Sequence, residues 1–146
     1  MSDMGLGRPV DALDMVCKTY KNCQKCVRDK FGDDCIGEFV RYKYGEKQGD
    51  KFCKDAPNTC DRALCECDLA FAKAHVSKIE HFNTDYHQFW STLPERWVPE
   101  DKCQRGSGPY EPECCGVPTG PYVLFNGLNQ QCCADGTVGK IGDQCS

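Results

Sequence analysis

Cysteine is the residue whose chemistry stands out most clearly in this sequence of 146 residues. Fourteen cysteines are present, an even number and far above ordinary usage. In an oxidising compartment such a set pairs into a disulfide framework, which supplements a core too small to hold a fold alone. We therefore expect a secreted, extracellular protein. A zinc site would need ligands in repeated pairs, and the cysteine spacings do not repeat in that way.

Other residues that could bind a metal or attack a substrate are sparse. The three histidines lie six residues apart, at His75, His81 and His87. On one helix that spacing scatters them around the axis, so we expect no metal site from them. Asp33, Asp34 and Glu38 lack the ordered spacing of a calcium loop and predict a solvated acidic face. The Gly-x-Ser-x-Gly motif of another hydrolase class does not occur.

The net charge of the chain argues against two kinds of partner, and its hydropathy argues against a membrane-spanning segment. A net charge of −4 does not favour nucleic acid or strong adsorption to anionic membranes. No apolar run approaches the roughly 20 residues that span a bilayer. The first five residues lack the basic and apolar regions of a signal peptide, as expected of a secreted protein in its mature form.

Apolar residues at helical spacing predict two helices. The first runs from about residue 9 to residue 30, with Pro9 in its first turn and one buried face: Leu13, Val16, Tyr20, Cys23, Val27 and Phe31. Asn58 or Thr59 is expected to cap the second helix, whose stripe is Leu64, Cys67, Phe71, Ala74 and Lys78. This helix is predicted to continue or restart through an aromatic stretch that ends before Pro94 and packs as core or interface: Phe82, Tyr86, Phe89 and Trp90.

Between the helices, residues 41–55 predict a two-stranded hairpin. Tyr42 and Tyr44 lead into a loop over residues 45–50, and Phe52 and Cys53 begin the return strand. Beyond Pro99, Gly, Pro, Asn and Cys are dense and no periodicity is sustained. We expect this C-terminal tail, residues 99–146, to be a small Cys-rich module of turns and short β-strands.

Three segments resemble secreted phospholipase A2: residues 7–14, residues 16–24 and the run Cys65-Glu66-Cys67-Asp68. That family has Cys-Cys, two variable residues, His-Asp, one variable residue and Cys-Tyr where this chain has residues 16–24. Tyr20 stands at the family's His, Lys21 at its Asp and Gln24 at its Tyr. The resemblance implies a mainly α, disulfide-rich fold with two antiparallel helices and a small hairpin. Residues 1–98 would form this domain, with a truncated calcium loop and no N-terminal helix.

The tail resembles a second kind of sequence, a galaxin-type repeat of animal mineral and matrix proteins. Its doubled cysteines, its Pro121-Tyr122 and its Asp135-Gly136 carry that likeness.

The phospholipase resemblance also implies disulfides: Cys23–Cys67, Cys53–Cys65 and Cys35–Cys60. A further family bridge would join the positions of Val16 and Ala74, and both of its cysteines are missing together. The family's partner for Cys17 lies in the calcium loop, and no such cysteine occurs here. Eight cysteines are then unassigned: Cys17, Cys26, Cys103, Cys114, Cys115, Cys132, Cys133 and Cys145. We predict that Cys17 or Cys26 bonds to the tail and docks it on the first helix.

The altered residues predict that the family's chemistry is lost. In the phospholipase A2 family, the histidine takes a proton from water, and a calcium ion held by the aspartate and loop carbonyls stabilises the oxyanion. A tyrosine with a reference pKa of about 10 is a poor base at Tyr20, and the ammonium of Lys21 cannot ligate calcium. Gly5 and Gly7 are a remnant of the calcium loop. We expect no catalytic residue, metal or cofactor, and Asp68 as acceptor for the phenol or the ammonium.

These inferences predict a secreted, catalytically inactive phospholipase A2-like protein. It would bind an extracellular protein, matrix or mineral partner, as otoconin-like proteins do, and phospholipid stays open as a partner. The first alternative is a calcium-dependent secreted phospholipase A2 that hydrolyses the sn-2 ester of phospholipids. The second is a membrane-perturbing toxin, although the venom relatives with Lys at the calcium position keep the histidine and tend to be basic.

Overall fold

The first helix, α1, spans Ala12–Phe31 in a computed structural model that describes residues 7–86 and 106–145. It begins three residues after Pro9, later than predicted, because Asp11 is the N-cap and its carboxylate accepts from the backbone N–H of Asp14 at 2.7 Å. Gly32, with φ of 105°, ends the helix.

The second helix, α2, spans Cys60–Lys78. Thr59 is its N-cap and accepts from the backbone N–H of Arg62 at 3.3 Å, while Asn58 adopts a left-handed conformation with φ of 60°. Two short 3₁₀ turns, Ile79–His81 and Thr84–Tyr86, follow in place of a continuing helix. Phe82 and Tyr86 are 56% and 41% exposed, so of the predicted roles, core or interface, these two do not have the core role. Phe89 and Trp90 lie outside the described residues.

The two helices pack antiparallel on each other. Cys23 bonds to Cys67, and Tyr20, three residues earlier on α1, stacks on Phe71, four residues later on α2. The hairpin between them pairs β1, Tyr44–Lys47, with β2, Asp50–Cys53. The turn of this hairpin is Gln48-Gly49 and is shorter than the predicted loop. Both residues have positive φ, which gives the turn a twist that matches that of the strands.

Four short strands form the tail. β3, Pro112–Cys115, pairs with β4, Val123–Asn126, and β5, Gln130–Cys132, pairs with β6, Val138–Lys140. Cys26 of α1 bonds to Cys114, which confirms the prediction that one of the two unassigned α1 cysteines holds the tail. Tyr122, only 6% exposed, joins the core beside Cys26 and Val27. Helix α1 therefore lies between α2 and the tail.

Disulfides form a large part of the interior. The structure contains Cys23–Cys67, Cys35–Cys60 and Cys53–Cys65, the pairs implied by the phospholipase resemblance. Cys115–Cys132 and Cys133–Cys145 close the tail. Within the described ranges Cys17 is the cysteine without a disulfide, and Cys103 lies outside them. The prediction of a mainly helical, disulfide-rich fold with small β elements is confirmed. None of the helices in the described residues is long and apolar enough to span a membrane.

Candidate functional site

The residues that the sequence places at the enzyme site meet between α1 and α2. Tyr20 and Gln24 are one turn apart on α1, and Asp68 follows Cys67 on α2. Because the Cys23–Cys67 disulfide holds the two helices with 5.8 Å between its Cα atoms, Asp68 faces the turn of α1 that carries Tyr20. The framework therefore positions a side chain opposite Asp68 where the resemblance implies a catalytic base.

Both oxygens of the Asp68 carboxylate accept hydrogen bonds from phenols. Tyr20 donates to Oδ1 at 2.7 Å, and Tyr42 donates to Oδ2 at 2.6 Å. The side-chain amide of Gln24 donates to the Tyr20 hydroxyl oxygen at 2.8 Å. These four half-buried side chains form one connected network. A partly buried carboxylate is thereby satisfied without a cation, and the network cross-links α1, α2 and the residue two before β1.

The network keeps both phenols protonated at neutral pH. Burial, followed by the hydrogen bond to Asp68, raises the pKa of Tyr20 well above its usual range. The same two causes raise the pKa of Tyr42 to about 12. A general base must accept a proton near the working pH, whereas the Tyr20 phenol already donates its proton to Asp68. The geometry suits a structural cross-link and does not suit proton abstraction.

An imidazole is present nearby, but an aromatic ring separates it from the carboxylate. Tyr20 stacks on Phe71 with ring centroids 4.5 Å apart, and Phe71 contacts His75 with centroids 5.4 Å apart. The His75 Nδ1 atom is buried and has no hydrogen-bond partner among the described residues. Since Phe71 lies between His75 and Tyr20, His75 does not take the place of the missing base beside Asp68.

The groups available at the calcium position do not fit that ion. Calcium takes six to eight oxygen ligands, and Lys21, next to Tyr20 on α1, offers an ammonium. The Gly7 carbonyl, in the segment where the resemblance implies a remnant of the calcium loop, accepts a hydrogen bond from Lys18 Nζ at 2.9 Å, so a second ammonium contacts an oxygen of this segment. Gly5 lies outside the described residues, and within them no three His, Cys, Asp or Glu side chains gather as a metal site.

Tyr42 is the member of the network that sequence reasoning missed. The sequence feature that could have indicated Tyr42 is the alternation of side chains along a strand. Tyr44 pairs with Cys53 in the hairpin, and Cys53 bonds to Cys65 on α2. A residue two before Tyr44 faces the same way, towards α2, and Asp68 lies three residues after Cys65 on the same helical face. The sequence contains this pattern, but the pattern alone does not show that Tyr42 reaches Asp68.

A cavity of about 270 Å³ lies between the hairpin and α2, next to Asp68. Its walls include Tyr42, Tyr44 and Phe52 on the hairpin side and Leu69 and Ala72 on the helix side. Ligand sites for small molecules usually have about 300 to 1,000 Å³. We assign no ligand to a space below that range.

Curated proteins similar in sequence to this chain are named as phospholipases A2. Membrane-associated phospholipase A2 of Mus musculus is 33% identical over 89 residues, which is 61% of this chain and 58% of that protein. The acidic phospholipase A2 Cvv-E6f of Crotalus viridis viridis is 31% identical over 111 residues, 76% of this chain and 66% of that protein. The homologues of this chain are members of the phospholipase A2 family.

The likeness to phospholipase A2 extends to a protein named only as a homologue of the enzyme. The phospholipase A2 homologue of Echis carinatus sochureki is 31% identical over 87 residues, 58% of this chain. The chain spans less than two thirds of the length of these relatives, between 58% and 66%. No protein-family model matches it. The phospholipase A2-like framework is thus shown by homologues and disulfides, and the activity has to be argued from the site.

Proposed function

We propose that this chain is a secreted, catalytically inactive phospholipase A2-like protein. It acts as a binding or structural component of an extracellular matrix, including a mineralising one, as otoconin-like proteins do. One observation carries the proposal: a phenol donates to Asp68 at 2.7 Å at the position where the phospholipase resemblance implies a proton-abstracting histidine. Loss of a general base alone typically costs on the order of 100 to 10,000-fold in rate.

Two further observations support inactivity. Lys21 stands where the phospholipase resemblance implies a calcium-ligating aspartate, and the Gly7 carbonyl accepts a hydrogen bond from the Lys18 ammonium. Without a calcium ion the oxyanion of ester hydrolysis has no electrophilic stabilisation at this place. The protein is therefore expected to require neither calcium nor another cofactor.

The tail supports a binding or structural role. Its doubled cysteines bond in different directions, Cys114 to α1 and Cys115 to Cys132, so the tail is cross-linked both internally and to the helical body. The galaxin-like pattern of these cysteines agrees with an extracellular matrix protein. We propose that the helical body and the tail together present a rigid surface to an extracellular partner.

Hydrolysis of mixed micelles tests the proposal. The oxidised protein and a secreted phospholipase A2 are assayed side by side with calcium and with a chelator. We expect the protein to release no fatty acid above the protein-free blank. Calcium-dependent release that Tyr20→Phe or Asp68→Asn abolishes would establish the enzyme alternative. Leakage of lipid vesicles at low protein concentration, without hydrolysis, would instead support the membrane-perturbing alternative.

A further inference from the structure

The outward surface of the hairpin differs from its inward surface. Cys53 faces inward, because it bonds to Cys65 of α2, and side chains alternate along each strand. Lys43 and Lys54 therefore face outward, directly opposite each other just beyond the Tyr44–Cys53 pair, and the Lys54 N–H donates to the Lys43 carbonyl at 2.9 Å. We call the outward residues Lys43, Lys47, Phe52 and Lys54 the outer hairpin face.

Phe52 forms a flat platform in the middle of this face. It lies opposite Gly45, and a Cβ added to Gly45 would be 2.7 Å from Phe52 Cζ and 3.1 Å from both Cε atoms. These distances place the Cβ above the face of the ring, so the ring lies flat on the glycine backbone. Phe52 is nonetheless 46% exposed, and it also borders the open cavity next to Asp68. A side chain at position 45 would displace the ring from this position.

The charges on the two surfaces are balanced differently. On the inner surface, Lys51 pairs with Glu46 at 2.8 Å. On the outer face, no carboxylate within the described ranges forms an ion pair with Lys43, Lys47 or Lys54. Asp50 lies opposite Lys47 in the register, which leaves this face with an excess of two positive charges.

The neighbouring Asp55 does not neutralise the outer face through a side-chain pair. Its carboxylate accepts from the backbone N–H of Lys43 at 2.6 Å. Lys43 and Lys54 remain like charges in directly opposed positions, an arrangement that destabilises a strand pair. An anionic partner that contacts both ammonium groups would remove this repulsion.

We propose that the outer hairpin face binds a sulfated polysaccharide of the extracellular matrix. The flat ring of Phe52 offers a stacking surface for a sugar ring, and the lysines on both sides of it form charge-assisted hydrogen bonds to sulfate oxygens. A narrow polyanion contacts this face without approaching the rest of the protein. The partner class rests on the proposed extracellular role but does not depend on whether the Asp68 site is inactive.

The same face suits an anionic bilayer less well. A residue that inserts into a membrane projects its apolar side chain, whereas Phe52 lies against its own backbone. A bilayer is also an extended surface, and a protein with net charge −4 is repelled by it beyond the hairpin.

Binding of a heparin oligosaccharide to the full oxidised protein, measured by titration calorimetry, tests this proposal. We expect saturable binding that weakens as salt is raised and that chemically desulfated heparin does not reproduce. The double variant Lys43→Gln/Lys54→Gln should bind about 25-fold more weakly, taking about fivefold for each lysine close to an anionic partner. Phe52→Leu keeps an apolar side chain over Gly45 but removes the flat ring, and should weaken binding about fivefold.

A matched control removes two exposed lysines elsewhere, Lys25 on α1 and Lys140 in β6, as Lys25→Gln/Lys140→Gln. It changes net charge equally and should retain most of the affinity. Equal loss in both double variants, absence of saturable binding, or binding to anionic phospholipid vesicles in place of heparin would each overturn the proposal. Circular dichroism verifies that the variants are folded, and the micelle assay separately reports on the Asp68 site.

Discussion

Helix α1 is held on two sides by the same two kinds of contact, a disulfide and a hydrogen bond of a tyrosine hydroxyl. On the α2 side these are Cys23–Cys67 and the Tyr20 hydroxyl that donates to Asp68. On the tail side they are Cys26–Cys114 and the Tyr122 hydroxyl that accepts from Lys30 Nζ at 2.8 Å. The disulfide of the first side is one that the phospholipase resemblance implies, and the second side joins the helical body to the Cys-rich tail.

The two sides differ in the charged group that the tyrosine hydroxyl contacts, a carboxylate on the α2 side and an ammonium on the tail side. Asp68 is half-buried and needs its two phenol donors, because little water replaces them. Lys30 is exposed and also lies over the rings of Phe31 and Tyr122. Without the Tyr122 hydroxyl, water and these rings would still stabilise its ammonium. The α2 side therefore depends on its hydrogen-bond network, whereas the tail side depends mainly on its disulfide and the buried Tyr122 ring.

The largest effect is expected from the disulfides. Cys26→Ser/Cys114→Ser and Cys23→Ser/Cys67→Ser should each lower the free energy of unfolding by about 4 kcal/mol. In the first variant we also expect limited proteolysis to remove the tail while the helical body stays protected. In the second the body itself should become sensitive. A tail that resists proteolysis without Cys26–Cys114 would show that packing of Tyr122 alone holds it.

The tyrosine hydroxyls should separate the two sides next. Tyr42→Phe removes one of two donors to a half-buried carboxylate and should cost about 1 to 2 kcal/mol. Tyr122→Phe keeps the ring in the core and leaves an exposed ammonium, so we expect a cost below about 1 kcal/mol. Chemical denaturation of both variants gives the comparison. Equal costs would contradict the view that only the α2 side depends on its hydrogen bonds.

The dependence of stability on pH is expected to be a smaller effect and to come from the α2 side. The folded pKa values of Tyr20 and Tyr42 are raised above the ordinary value of 10, that of Tyr42 to about 12. This stabilisation is therefore complete below pH 10 and is lost as pH rises through the folded pKa values. Thermal unfolding of the wild type should become easier above about pH 10. Tyr20→Phe/Tyr42→Phe should flatten that decline, and an unchanged decline would assign it to other groups.

Local signals in the sequence predicted the elements better than their ends and contacts. Helical spacing identified both helices, but the cap at Asp11, and not Pro9, sets the start of α1. Gln48 has positive φ of 52° without being glycine, so the two-residue turn of the hairpin was not evident. Cys17 and Cys26 are nine residues apart and hence on opposite faces of α1, yet only the packed structure shows which face meets the tail.

The site was predictable in identity and less so in geometry. Tyr20, Gln24 and Asp68 came from the phospholipase resemblance, and the structure brings them together. The second donor to Asp68, Tyr42, is 26 residues away in the chain and depends on how the hairpin lies on α2. Such long-range contacts follow from packing, which a single sequence does not specify.

The central claim is that a protonated phenol, hydrogen-bonded to Asp68, stands where the phospholipase resemblance implies the catalytic histidine. Its most direct test is a pH titration of the Tyr20 ring carbon next to the hydroxyl, followed by nuclear magnetic resonance on tyrosine-labelled protein and assigned with Tyr20→Phe. We predict that this signal stays at the position of a protonated phenol from about pH 6 to about pH 10, the ordinary tyrosine pKa. A Tyr20 signal that titrates near neutral pH would mean that this group can accept a proton from water, and would contradict the account.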